Sequence, residues 1–230
     1  MHAAKLTAMN MNKREGTLNE NRVYRSDRRL GRGIAFMKGR ESGMPDEAYW
    51  SSFFDPEAAL DKLLPGNKET GNVIEFGCGY GTFTLPVARR MSGIVTALDI
   101  EPEMVAAVAR KAETAGLDNI HIALRDFVAK GTGVESGSQR HAMIFNLLHL
   151  EQPVALLREA LRVLEDGGSL SVIHWRSDIP TPRGPSLSIR PSPEQCHAWM
   201  VEAGFVYVDS VDLRGCCPYH FGLVGQAFKR

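Results

Sequence analysis

The chemistry-bearing residues of this chain begin at Glu75-Phe76-Gly77-Cys78-Gly79-Tyr80-Gly81, where an apolar run ends on a turn with glycine at every second position. A second apolar run, Ile94-Val95-Thr96-Ala97-Leu98, ends in Asp99. Glycine lets backbone approach a ligand where a Cβ would collide, and an acid at the tip of the next strand can accept both hydroxyls of a ribose. Together they outline half of a nucleotide-binding crevice. The spacing departs from G-x-G-x-x-G, which would put glycine at position 82 and meets Thr82 instead. A dinucleotide pyrophosphate is thereby disfavoured, and no Tyr-x-x-x-Lys pair supports a nicotinamide-dependent oxidoreductase.

These residues need a scaffold, and the hydrophobic pattern supplies one. Strands are expected at 73–77, 94–99, 119–124, 141–147 and 169–175, with helices at 82–91, 102–115 and 152–164. Alternation of this kind builds a parallel sheet with right-handed crossovers. Before it, aromatic and apolar residues over 46–64 suggest helix interrupted at Asp55-Pro56, lying across the domain as a lid or brace. Val154, Leu157, Leu161 and Leu164 recur at helical spacing, and Asp166-Gly167-Gly168 is expected to end that helix. Pro86 makes the first turn of helix 82–91 irregular. Residues 176–191 hold four prolines and read as an irregular loop, followed by a helix capped by Ser192. Strands 205–213 and 220–228 close the chain as a hairpin.

Composition is ordinary for a globular chain of 230 residues, with 43% hydrophobic and 23% charged residues, and one domain with additions is expected. The zero net charge hides an asymmetry: residues 1–44 hold ten Lys/Arg against four Asp/Glu, leaving 17 against 23 in the remainder. We read 1–44 as a basic, flexible extension and 45–230 as the functional domain. Such an arm admits a nucleic-acid contact, but a solvated leader is favoured. No apolar run is long enough for a membrane helix, and no secretory core precedes the domain, so a cytoplasmic location is expected. Cys78, Cys196, Cys216 and Cys217 show no metal-ligand spacing and read as reduced thiols, with no metal implied.

Taken together, the glycine motif at 75–81, Asp99, the Arg125-Asp126-Phe127 segment and the closing strand pair resemble the class I S-adenosylmethionine-dependent methyltransferases, over roughly residues 45–228. The resemblance implies a three-layer, Rossmann-like α/β fold whose seven-stranded sheet is mostly parallel, with one antiparallel strand from the C-terminal hairpin. It implies S-adenosylmethionine as cofactor. Gly77, Cys78, Gly79, Tyr80 and Gly81 would then line or shape the methionine end, with Glu75 orienting its amino group. Asp99 would hold the ribose, Ile100 would pack on adenine, and Asp126 with Phe127 would meet the adenine edge.

A methyl acceptor that carries a proton needs a base, and ligands in open sheets sit beyond the carboxyl ends of the strands. Asn146, His149 and Glu151 follow the fourth strand; His174, Trp175 and Arg176 end the fifth. Asn146 joins the cofactor group, and His149 is the preferred base because imidazole titrates near neutral pH. His174 reads as structural. Tyr49 and Trp50 could close over the site, and Arg176, Arg183 and Arg190 could attract an anion. Asn146-Leu147-Leu148-His149 departs from the Asn/Asp-Pro-Pro-Tyr/Phe motif of methyltransferases acting on planar nitrogens, and no Pro-Cys dipeptide supports cytosine-C5 chemistry. A small-molecule acceptor is expected. An RNA or protein acceptor approached through the basic arm is the alternative.

Overall fold

A computed structural model describes residues 43–64 and 70–229. Nearly all of the basic extension at 1–44 lies outside the described residues. Two short helices come first, α1 (Glu47–Ser51) and α2 (Pro56–Leu63), each capped by an aspartate side chain, Asp46 and Asp55. The break at Asp55-Pro56 matches the local chemistry, because Asp55 accepts from Ala58 N while Pro56 opens the new helix.

Strands and helices then alternate: β1 (Val73–Phe76), α3 (Thr84–Arg90), β2 (Val95–Asp99), α4 (Pro102–Thr114), β3 (Ile120–Leu124), α5 (Phe127–Lys130), β4 (Gln139–Phe145), α6 (Pro153–Val163) and β5 (Leu164–Trp175). After a loop with one 3-10 turn (Leu187–Ile189) come α7 (Pro193–Ala203), β6 (Phe205–Val211) and β7 (His220–Ala227). The sheet has seven strands in the order β3-β2-β1-β4-β5-β7-β6. Every pairing from β3 to β5 is parallel, and β7 runs antiparallel between β5 and β6. This is the mostly parallel α/β sheet with one antiparallel strand that the motifs imply.

Both faces of the sheet are covered. Ile74, Phe76, Ala142 and Ile144 pack with Leu157 of α6 and Met200 of α7, whereas Val73, Met143 and Phe145 pack with Leu60 and Leu63 of α2 and Val87 of α3. The period of two along β1 therefore sends Glu75 to the α2/α3 face, buried among apolar neighbours.

Most boundaries shift by a residue or two from expectation, and three departures have a clear local cause. α3 starts at Thr84 rather than 82, so Pro86 occupies the first turn, where its missing N–H has no intrahelical acceptor to lose. β4 begins at Gln139 and stops at Phe145, because Asn146 turns to φ 59°. Asp166-Gly167-Gly168 does not terminate α6, which ends at Val163. Instead Gln139 pairs with Leu164 and His141 with Ser169, so residues 165–168 bulge out of β5. Arg140 holds the bulge from below through Glu165 Oε1 at 3.1 Å and the Gly167 carbonyl at 3.3 Å.

Candidate active site

The chain passes from β1 outward through β2 and β3, then returns to place β4 on the other side of β1. Loops leaving β1 and β4 diverge at that switch, opening a crevice beyond their carboxyl ends. A cavity sits there. Its floor is Glu75, Gly77, Cys78 and Gly79 after β1, with Asp99, Ile100 and Glu101 after β2. Arg125, Asp126, Phe127 and Val128 follow β3, and Phe145, Asn146, Leu147, His149 and Leu150 follow β4. Met44, Trp50, Thr82, Phe83, Trp175, Arg183, Gly184 and Pro185 complete the wall.

The glycine turn is fastened to β2. Gly77 N and Cys78 N both donate to the Leu98 carbonyl, at 2.8 and 2.9 Å, and Gly79 N donates to Asp99 Oδ2 at 2.8 Å. Asp99 Oδ1 accepts from Glu101 N at 3.0 Å. A single acid thus fixes the turn, and backbone N–H groups on both sides of it, Gly79 and Glu101, converge on its two oxygens. At Gly77, φ is 72° and a Cβ would lie 3.2 Å from Leu147, so a side chain there would strain the backbone and crowd the wall.

Burial governs the electrostatics. Glu75 is raised to about 8, chiefly by loss of solvation, against a lowering hydrogen bond from the Thr84 hydroxyl. Asp99 is also raised by burial, with the backbone bonds from Glu101 and Gly79 pulling it back. The Cys78 thiol is pushed far up by burial and by Glu75 and Asp99, which removes it as a nucleophile. Two buried side-chain oxygens in this wall have no hydrogen-bond partner among the described residues, Thr82 Oγ1 and Asn146 Oδ1. Unpaired buried oxygens and a positive-φ asparagine mark a wall shaped for a polar ligand.

Ten of the twelve site residues read from the sequence meet at this cavity: Glu75, Gly77, Cys78, Gly79, Asp99, Ile100, Asp126, Phe127, Asn146 and His149. Tyr80 and Gly81 do not line it. The Tyr80 hydroxyl donates to the Pro45 carbonyl at 2.8 Å, and its ring lies 5.5 Å under the Lys111 ammonium, which also bonds Glu47. Gly81 faces Val108 of α4, its Cβ position only 3.1 Å away. Asp126 accepts from Ala129 N at 3.0 Å and so also caps α5, a one-turn helix that short-range periodicity does not reveal. Met44, Phe83 and Phe145 line the cavity without having been singled out by sequence, and Thr82 was noted there only as the residue that breaks the dinucleotide spacing.

Beyond the glycine turn the wall becomes aromatic. Trp50 meets Trp175 edge-on at 6.4 Å, and Phe83 meets Phe145 at 4.7 Å. Tyr49 remains half exposed, its hydroxyl 3.5 Å from the Pro182 carbonyl. Of the three loop arginines, Arg176 pairs with Asp178 and Arg190 bonds the carbonyls of Arg176, Arg183 and Pro185, so both build the loop. Arg183 is the one that lines the cavity, where it also donates to the Gly43 carbonyl. Among the described residues no cluster of His, Cys, Asp and Glu is arranged to hold a metal, and no helix is long and apolar enough to cross a membrane.

Residues 73–168 match a family model described as a methyltransferase domain. Solved structures share the fold. A SAM-dependent methyltransferase from Aquifex aeolicus superposes with a TM-score of 0.67 at 24% identity, covering 79% of this chain and 94% of that one. A putative type 11 methyltransferase from Sulfolobus solfataricus gives 0.60 at 24% identity, over 77% and 95%. A geranyl diphosphate methyltransferase in complex with SAM gives 0.62 at 15% identity, over 80% and 93%. No curated protein sequence matches the chain. The family match spans β1 through the bulge of β5, which contains the glycine turn, Asp99, Asp126 and His149. Residues 73–168 of this chain are thus similar to a methyltransferase domain, set in a sheet whose fold is shared with SAM-dependent methyltransferases.

Proposed function

We propose that the enzyme methylates a small molecule seated at the aromatic end of the cavity, with His149 as the base. The observation that carries this reading is the continuity of one cavity from the glycine turn to Trp50, Trp175, Phe83 and Phe145, with His149 in its wall. S-Adenosylmethionine supplies a methyl group on a positively charged sulfur. Gly77, Cys78 and Gly79 bring backbone against its methionine portion, and Glu75 faces the amino end as a carboxylate. Asp99 accepts from the ribose hydroxyls, Ile100 packs on adenine, and Asp126 with Phe127 meets the adenine edge. Thr82 Oγ1 and Asn146 Oδ1 offer two further polar contacts that are otherwise unsatisfied.

The aromatic walls favour an acceptor with an apolar body, held dry so that alignment rather than covalent catalysis supplies the rate. Arg183 offers an anionic acceptor a charge at the loop end. That a structural neighbour is a geranyl diphosphate methyltransferase supports small-molecule chemistry on this fold. Four buried free cysteines accord with work in a reducing cytoplasm.

A metabolite extract incubated with methyl-labelled cofactor tests the reading. One or more labelled small molecules are expected, with labelling about a hundredfold or more slower in His149→Ala, in the range usual for loss of a general base. Label appearing only in RNA or protein would overturn the small-molecule acceptor, and an undiminished rate in His149→Ala would remove the base.

A further inference from the structure

Behind His149 lies a second histidine that the cavity does not expose. His149 Nδ1 is 3.3 Å from Nε2 of His174 on β5, and His174 is wholly buried. The other nitrogen of His174, Nδ1, is 3.2 Å from the Trp175 carbonyl. A carbonyl only accepts, so the proton of His174 resides on Nδ1. Burial, reinforced by His149, His220 and Arg190, keeps this ring from taking a second proton and lowers its pKa to about 3. Its Nε2 is therefore an acceptor. Only one arrangement then satisfies the contact between the rings: His149 donates from Nδ1, and its lone pair lies on Nε2, at the opposite edge of the ring. Histidine in water prefers the reverse tautomer, with the proton on Nε2.

We propose that His174 is a positioning residue that locks His149 in the Nδ1–H tautomer, leaving Nε2 as the nitrogen that takes the acceptor's proton. The proposal rests on the reading of His149 as the base and deepens it. A ring held this way suits an acceptor atom that has a proton to surrender, a hydroxyl or a thiol, over a tertiary amine. Because His174 cannot ionise readily, the proton arriving at His149 stays on that ring until solvent removes it. The Trp175 carbonyl, His174 and His149 thus form a directional chain of donors, Nδ1 to carbonyl and Nδ1 to Nε2, anchored in the centre of the sheet where β5 pairs with β7.

Nitrogen-15 histidine labelling of the full chain, read by long-range proton–nitrogen correlation near pH 8, tests it without an acceptor. The His149 signals are assigned by their loss in His149→Gln. In the wild type, His149 is expected to show a protonated, pyrrole-like Nδ1 and a pyridine-like Nε2. His174→Phe removes the acceptor and is expected to shift His149 toward the ordinary Nε2–H form, whereas His174→Gln, whose side-chain carbonyl can accept, is expected to retain the Nδ1–H form. S-Adenosylmethionine binding by calorimetry verifies that each variant is folded. A wild-type His149 protonated on Nε2 overturns the proposal by itself, whether or not the His174 variants fold. An unaltered His149 tautomer in folded His174→Phe does the same. Loss of activity in His149→Ala bears on the base and not on the lock, so the two readings fail separately.

Discussion

A carboxyl group that is neutral at pH 7 lies at the end of β1, against the place assigned to a cation. Glu75 is raised to about 8, mainly by burial, and the cofactor brings positive charge that favours its carboxylate. Binding S-adenosylmethionine is therefore expected to release a proton, and affinity should rise as pH increases from 6 toward 8. Calorimetry at pH 7 in buffers of different ionisation enthalpy should show this release in the wild type and its loss in Glu75→Gln; equal proton counts for the two proteins would contradict it. The sign for the free protein is opposite. The folded state holds the Glu75 proton more tightly than the unfolded chain, so its contribution to stability is complete at low pH and is lost as pH rises from about 4.5 through about 8. Chemical denaturation at pH 5 and 8 should show that loss diminished in Glu75→Gln. At this scale much of the site was legible. Gly77, Gly79 and Asp99 are specified by local backbone demands that a short window contains. His174 was not legible as a partner of His149, because the two meet only when β4 and β5 pair across 25 positions of sequence.

The elements that frame the aromatic end of the cavity are held in part by side chains directed at backbone carbonyls. Arg190 bonds the carbonyls of Arg176, Arg183 and Pro185 and the Thr181 hydroxyl at 2.6 to 3.3 Å, tying the proline-rich loop to the end of β5. On the other rim, Asp46 caps α1, and Glu47 and Pro45 fasten it through Lys111 and Tyr80 to the glycine turn. Replacing Arg190 by Ala removes charge-assisted bonds and is expected to cost about 1–3 kcal/mol of stability. Faster amide exchange should be confined largely to residues 176–191, with the strands β1, β2 and β4 unaffected; uniform loss of protection would contradict a local role. The latch through Lys111 is a half-exposed pair, so Lys111→Met should change stability by about 1 kcal/mol in denaturant melts. The helices and strands themselves were legible from apolar periodicity and capping residues. The bulge at 165–168 was not, because Asp-Gly-Gly after a helical pattern reads equally as a helix terminator, and the choice is made by Arg140 on the neighbouring strand.

For the whole domain, the order β3-β2-β1-β4-β5-β7-β6 explains why residues from so many segments converge. Loops after five parallel strands share one side of the sheet, and the reversal between β1 and β4 leaves the gap that they enclose. Alternation of elements made the parallel core readable, and the family resemblance implied an antiparallel strand from the hairpin, whereas the placement of β7 between β5 and β6 comes from the structure. Trp50 and Trp175 at the aromatic end of the cavity were named from the sequence, but Met44, Phe83 and Phe145 were not, because they come from separate segments and meet only in three dimensions. The proposed cofactor site is the glycine-turn half of that cavity. Titration calorimetry of the full chain with S-adenosylmethionine and with NAD decides it. Binding of S-adenosylmethionine alone is predicted, weakened at least about tenfold, or roughly 1.4 kcal/mol, in Asp99→Ala. Tight NAD binding, or an Asp99→Ala variant that holds S-adenosylmethionine as well as the wild type, would contradict it.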